Sequence, residues 1–167
     1  MVIVVMGVSG SGKTTLGRAL AEQLGFRFEE GDDWHDPKSV EKMRRGEPLS
    51  DEDRQPWLER LNQAIRQWVA TNQNVVLACS ALRRSHRQLL RSRLTDPTQL
   101  RLVFLDGSRD QIERQLRART GHFMPAALLP SQLETLEPPG PDEAIRIQVG
   151  MPLDDAVDVV IHELGRC

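Results

Sequence analysis

Apolar residues recur along this chain in two alternating rhythms. The continuous run "VIVVM" (2–6) suits a strand covered on both faces, and Leu16, Leu20 and Leu24 then follow at helical spacing as far as Gly25. "FRFEEGDD" (26–33) predicts a short strand running into polar residues, and Leu58, Leu61, Ile65, Trp68 and Val69 mark a second helix. "NVVLACS" (74–80) and "LRLVFLDG" (100–107) predict two more buried strands, separated by a basic helix from about Leu82 to Leu94. A helix near Gln111–Arg119 precedes a Pro-rich stretch from Pro125 to Pro141. "AIRIQV" (144–149) predicts a last strand and Leu153–Leu164 a last helix.

Five strands separated by helices imply an α/β protein of three layers, a mostly parallel sheet with helices on both faces. At 167 residues the chain reads as one domain, long enough to bury a real core. Ligands of such sheets bind beyond the carboxyl ends of the strands, so the residues just after each strand carry the chemistry.

Composition narrows the partners. A net charge of −2 gives no general attraction for nucleic acid or anionic membrane. Cys79 and Cys167 are too few for a disulfide framework and suit a reducing compartment. Met1 runs straight into the first strand without a basic leader, so a cytoplasmic protein is expected. Lysine occurs only at Lys13, Lys38 and Lys42, which makes a lysine inside a motif informative.

Lys13 lies in "GVSGSGKTT" (7–15), which fits G-x-x-x-x-G-K-[ST] between a strand and a helix. Such a loop wraps phosphate with inward backbone N–H groups, an approach that side chains at Gly7, Gly10 and Gly12 would block. Val8, Ser9, Ser11 and Thr15 complete the cradle, Lys13 reaches the β- and γ-phosphates, and the Thr14 hydroxyl suits Mg²⁺. Nucleoside triphosphate binding follows. The guanine-reading motifs of switch GTPases are absent, and "VVLACSA" ends without the acidic residues of motor ATPases. Both absences favour a small-molecule kinase.

Such a kinase needs an acceptor pocket, a group that orients a hydroxyl and cations over the moving phosphoryl. Asp32 and Asp33 follow the second strand, where a carboxylate can take or orient a proton, or simply form a solvated turn. Arg117 and Arg119 lie at the end of a helix, placed either to close over ATP or to cap that helix. Arg83, Arg87 and Arg91 share one helix face by i,i+4 spacing; most of that stripe reads as solvated, with Arg83 the member nearest the site. His122 can hydrogen-bond a polyol or, as a lone histidine, serve structure alone. In "GEPLSDEDRQPW" (46–57), Ser50 and Asp53 form a capping-box pattern, while Pro56 should kink or restart the helix and leave Arg54 on a short first turn.

Together the phosphate loop, "GDDWHDPKSVEKMRRGEPLSDEDRQPWL", "CSALRRSHRQLLR" and "GHFMPAALLPSQLETLEPP" closely resemble the gluconate kinases of the nucleoside-monophosphate-kinase-like group, from Val2 to about Leu153. The resemblance implies a P-loop kinase fold with a five-stranded parallel sheet and a helical lid over about 117–141. It also implies ATP-dependent phosphorylation of D-gluconate at the 6-hydroxyl, Mg²⁺ and a homodimer. Lys13, Asp32 and Arg119 are then the catalytic residues, Gly7–Thr15 with Arg119 hold the nucleotide, and Asp32, His35, Arg54, Arg83, His122 and Gln132 surround the acceptor. A related kinase of shikimate or another sugar acid, and an ATP-sensing module, are the alternatives. Two departures stand out: Pro37 falls one place later than the family's Leu-His-Pro, and Ser39 replaces a common Asn. A shifted proline changes which residue before it is held extended.

Overall fold

A computed structural model describes residues 1–118 and 126–165. Five strands, β1 (Val2–Met6), β2 (Arg27–Glu30), β3 (Val75–Ala78), β4 (Leu100–Asp106) and β5 (Ile145–Gln148), pair in the order β2-β3-β1-β4-β5, every neighbour parallel. The continuous apolar run of β1 has a direct cause. Val2, Val4 and Met6 face one layer, Ile3 and Val5 the other, and all five are fully buried.

The helices are α1 (Lys13–Leu24), α2 (Pro37–Arg44), α3 (Asp51–Ala70), α4 (Arg84–Arg91), α5 (Arg109–Ala118), α6 (Leu129–Thr135) and α7 (Leu153–Gly165). On one face α3 lays Trp57, Leu58, Leu61, Ile65 and Trp68 against β1, β3 and β4. On the other, Leu16 and Leu20 of α1 meet Val157 and Val160 of α7 over Ile3, Val5, Val76 and Val103. Truncating Leu61, which is fully buried, would cost about 2–5 kcal/mol. Gly25 ends α1 in the left-handed conformation, φ 66°, at the position the apolar spacing indicates.

One sequence expectation needs correction, and two helices lie outside what apolar spacing predicts. Pro56 lies inside α3 without restarting it, because Ser50 and Asp53 complete the reciprocal cap and Arg54 N–H bonds to Ser50 C=O at 3.2 Å. The Pro-rich stretch contains α6, with Pro130 in its first turn, where a missing N–H costs nothing. And α2, which apolar spacing does not predict, begins with the shifted Pro37 at its first position. Asp36 is held extended before it and accepts hydrogen bonds from the Lys38 and Ser39 amides, both at 2.9 Å.

Candidate active site

The site gathers where the sheet's topology demands, at the carboxyl ends of β1, β2 and β3. The loop 7–15 leaves β1, turns through Gly12 at φ 102° and enters α1 at Lys13. Gly7, Val8, Ser9, Gly10, Ser11, Gly12, Lys13, Thr14 and Thr15 therefore occupy one strand–loop–helix turn. Lys13 Nζ donates to Val8 C=O at 3.0 Å, which curls the side chain back over the loop. Ser11 Oγ is buried without a hydrogen-bond partner, as a group awaiting an anion would be.

Glu30, at the end of β2, was not singled out by sequence, and it accepts from the Thr14 hydroxyl at 2.7 Å. Burial pushes its carboxyl above the usual range; the Thr14 bond and Lys13 oppose that, while Asp32 and Asp33 add to it. The signal was the acidic string Glu29–Glu30–Gly31–Asp32–Asp33, whose members cannot be ranked without knowing which faces the loop. Gly31 then lies so close to β3 that a Cβ would stand 2.5 Å from Ala78 C=O. Its own C=O accepts from Trp57 Nε1 at 2.7 Å, so α3 fixes the backbone just before Asp32.

Asp32, His35, Arg54, Ser80 and Gln132 line a narrow recess of about 30 Å³ beside this loop. His35 stacks on Trp57 at 4.3 Å with the rings 14° from parallel. Its Nε2 is 4.0 Å from Asp32 Oδ1, and its Nδ1 is buried without a partner. Burial lowers the His35 pKa, so the ring is neutral and can both donate and accept. Gln132, on α6, reaches back to the phosphate loop and accepts the Ser9 N–H at 2.5 Å. One side chain thus touches both the recess and the loop.

Arg54 is 13% exposed and turned to Asp51, which also lies 3.4 Å from Arg83 Nε and 3.8 Å from His86 Nε2. Arg83 stands beside Arg54 through this shared carboxylate but does not line the recess. His86 escaped sequence notice because one histidine in a basic helix carries no pattern. Burial and the neighbouring Arg54 hold its pKa down at about 4. Arg117 makes a surface ion pair with Glu113, 3.7 Å away. Arg119 and His122 lie outside the described residues.

The rest of the arginine stripe is not solvated. Arg87 is 2% exposed and donates from Nε and Nη2 to Glu143, and from Nη1 to the Leu82 and Glu137 carbonyls. Arg91 donates to Glu143 C=O at 3.1 Å. Spacing alone cannot reveal that Glu143, 56 residues away, closes over this face.

A second cleft, of about 120 Å³, opens on the other side of the phosphate loop. Ser11, Gly12 and Thr15 form one wall, Gln115 of α5 another, and the β5–α7 turn with Gln148 and Met151 a third. Among the described residues no three His, Cys, Asp or Glu side chains cluster as a metal cage. Thr14 and Glu30 nevertheless supply hard oxygen donors of the kind Mg²⁺ takes when it keeps its waters and substrate phosphates as further ligands, so they fit that ion.

Comparison with known proteins agrees with this geometry. A family model described as an AAA domain matches residues 2–139. The gluconokinase of Gluconobacter oxydans is 48% identical over 164 residues, 98% of this chain and 89% of that protein. The crystal structure of a gluconokinase from Sinorhizobium meliloti superposes with a TM-score of 0.85 at 47% identity, covering 98% of this chain and 91% of that one. A sugar kinase from Janibacter superposes at 0.91 with 39% identity, over 98% and 94% of the two chains.

Proposed function

The chain belongs to the gluconokinase family, and from that premise we propose that it moves the γ-phosphoryl group of ATP to the 6-hydroxyl of D-gluconate, releasing 6-phospho-D-gluconate and ADP. The observation that carries the reading is Gln132, whose side chain joins an acid-, histidine- and arginine-lined recess to the phosphate loop. The two substrates of a phosphoryl transfer must meet at such a junction.

The phosphate loop holds the triphosphate with backbone N–H groups, and Lys13 swings from Val8 C=O to the transferring phosphoryl. Arg119, on the lid proposed for about 117–141 of this single-domain kinase, adds a second cation as water is excluded. Asp32 orients the 6-hydroxyl and accepts its proton. Neutral His35, whose buried Nδ1 has no protein partner, hydrogen-bonds a sugar hydroxyl, and His122 and Gln132 bind others. Arg54 takes the carboxylate of gluconate, with Arg83 as a second cation beside it. Thr14 and Glu30 would hold Mg²⁺, which when bound offsets charge on the β- and γ-phosphates.

The same reading carries a homodimer, as the family resemblance implies, and a reducing cytoplasmic setting, which suits a buried, unpaired Cys79. Among the described residues no helix is long and apolar enough to cross a membrane. An ADP-release assay across gluconate, other aldonates and shikimate tests the activity: gluconate should give the highest turnover. Equal or greater turnover with shikimate, or ATP binding without any acceptor-dependent ADP release, would overturn it.

A further inference from the structure

Two side chains of α3, one turn apart, each hold the backbone carbonyl that directly precedes an acceptor-site residue. Trp57 Nε1 donates to Gly31 C=O, before Asp32, at 2.7 Å, and Arg60 Nε donates to Trp34 C=O, before His35, at 3.1 Å. Each carbonyl shares its peptide plane with the N–H of the next residue, so the two bonds fix where the Asp32 and His35 side chains leave the chain. Between them Gly31–Trp34 forms one short helical turn, closed by the His35 N–H on Asp32 C=O at 3.3 Å. Two further contacts hold the same segment to α3. The Trp34 ring meets Trp68 edge-on at 6.1 Å, and Asp36 Oδ2 lies 4.0 Å from Arg60 Nη2. A buried indole N–H needs some acceptor, which alone would explain Trp57. Arg60 is 41% exposed and could give its donors to water, so its hold on the matching carbonyl serves the placement of the segment.

We propose that Trp57 and Arg60 are positioning residues of the acceptor site, Trp57 for Asp32 and Arg60 for His35. The inference rests on the proposed function, in which Asp32 orients the reacting hydroxyl and His35 binds another. The two roles differ in what misplacement costs. A displaced proton acceptor still leaves the acceptor molecule bound but misses the near-attack geometry, so turnover suffers. A displaced hydrogen-bond partner weakens ground state and transition state alike, so binding suffers. Trp57 therefore acts on kcat and Arg60 on acceptor affinity. His35 stays stacked on Trp57 in either case, because that contact uses the face of the indole and not its N–H.

The test removes one donor and leaves the ring. Replacing Trp57 by β-(3-benzothienyl)alanine puts sulfur where the indole N–H stands and keeps the stack on His35. The kcat for gluconate should fall about tenfold, with the calorimetric Kd for gluconate within about twofold of the wild type. Arg60→Met keeps the methylene stem and should do the reverse, raising Kd about fivefold with kcat little changed. Trp57→Phe supplies the first measurement should the analogue protein not fold. Both constants are taken per folded molecule, so a loss of stability alone cannot produce opposite splits between them. Unchanged kcat in the Trp57 variants, unchanged Kd in Arg60→Met, or equal losses of both constants in both proteins would overturn the proposal. An acceptor other than gluconate would correct the proposed function, and the same split is then read with that acceptor. A chain that phosphorylates no acceptor overturns both.

Discussion

Arg83 and Arg87 stand four residues apart at the start of α4, carry the same guanidinium, and end in opposite circumstances. Arg87 is sealed against Glu143 and two carbonyls with 2% of its side chain exposed. Arg83 keeps 40% of its side chain exposed and shares the single carboxylate of Asp51 with Arg54 and His86. The first has every charge partner it can use. The second belongs to a group of two arginines and a histidine around one acid, and that surplus of cations can receive a ligand's anion. What faces a residue across the fold, more than its type or spacing, decides between a clamp and a site.

The comparison breaks most sharply at Arg87. Arg87→Met takes from the partly exposed Glu143 its main partner and from the Leu82 and Glu137 carbonyls a buried donor, so stability should fall by about 1.5–3 kcal/mol in urea unfolding. Replacing Glu143 by Leu in the same chain should recover part of that loss. Gluconate KM per folded molecule should change little, because Arg87 does not line the recess.

Around Asp51 the pattern reverses. Arg54→Met should raise the KM for gluconate about 10²-fold, since it removes a largely buried charge from the acceptor's carboxylate, with little change in the urea midpoint. Arg83→Met, at an exposed position, should raise it only about tenfold. Equal effects of the two would mean that exposure does not rank them.

The smallest effect concerns pH. His86 is held neutral, its pKa moved from the ordinary 6.5 to about 4, mainly by burial and then by Arg54. A depressed pKa means that its contribution to stability is complete above pH 6.5 and is lost as pH falls toward 4. Allowing for solvent on the Asp51 side, the loss is about 1–2 kcal/mol. Urea unfolding of His86→Gln across this range should lack that acid-sensitive component, and an identical pH profile in both proteins would remove His86 from the account.

Much of the fold was legible because hydrophobic periodicity is a local property. β1 faces two layers and so reads as a continuous apolar run, and α1 stops at Gly25 because only glycine takes that turn cheaply. The phosphate loop was legible for the same reason, its glycines and lysine being adjacent in sequence. The features missed depend on distant partners: Glu30 matters because Thr14 faces it, Trp57 because its indole N–H holds Gly31, and Arg87 because Glu143 covers it. Pro56 shows the converse. A local rule predicted a kink or a restart, and a complete cap with packing of Trp57 and Leu58 into the core carries one helix through it.

The account turns on Asp32 as the group that orients and deprotonates the acceptor. Single-turnover ADP release at saturating ATP and gluconate, compared between wild type and Asp32→Asn alongside calorimetric binding of gluconate, measures this directly. Turnover should fall about 10²–10³-fold while gluconate affinity changes by less than tenfold. Near-normal turnover in the asparagine variant, with binding intact, would contradict it.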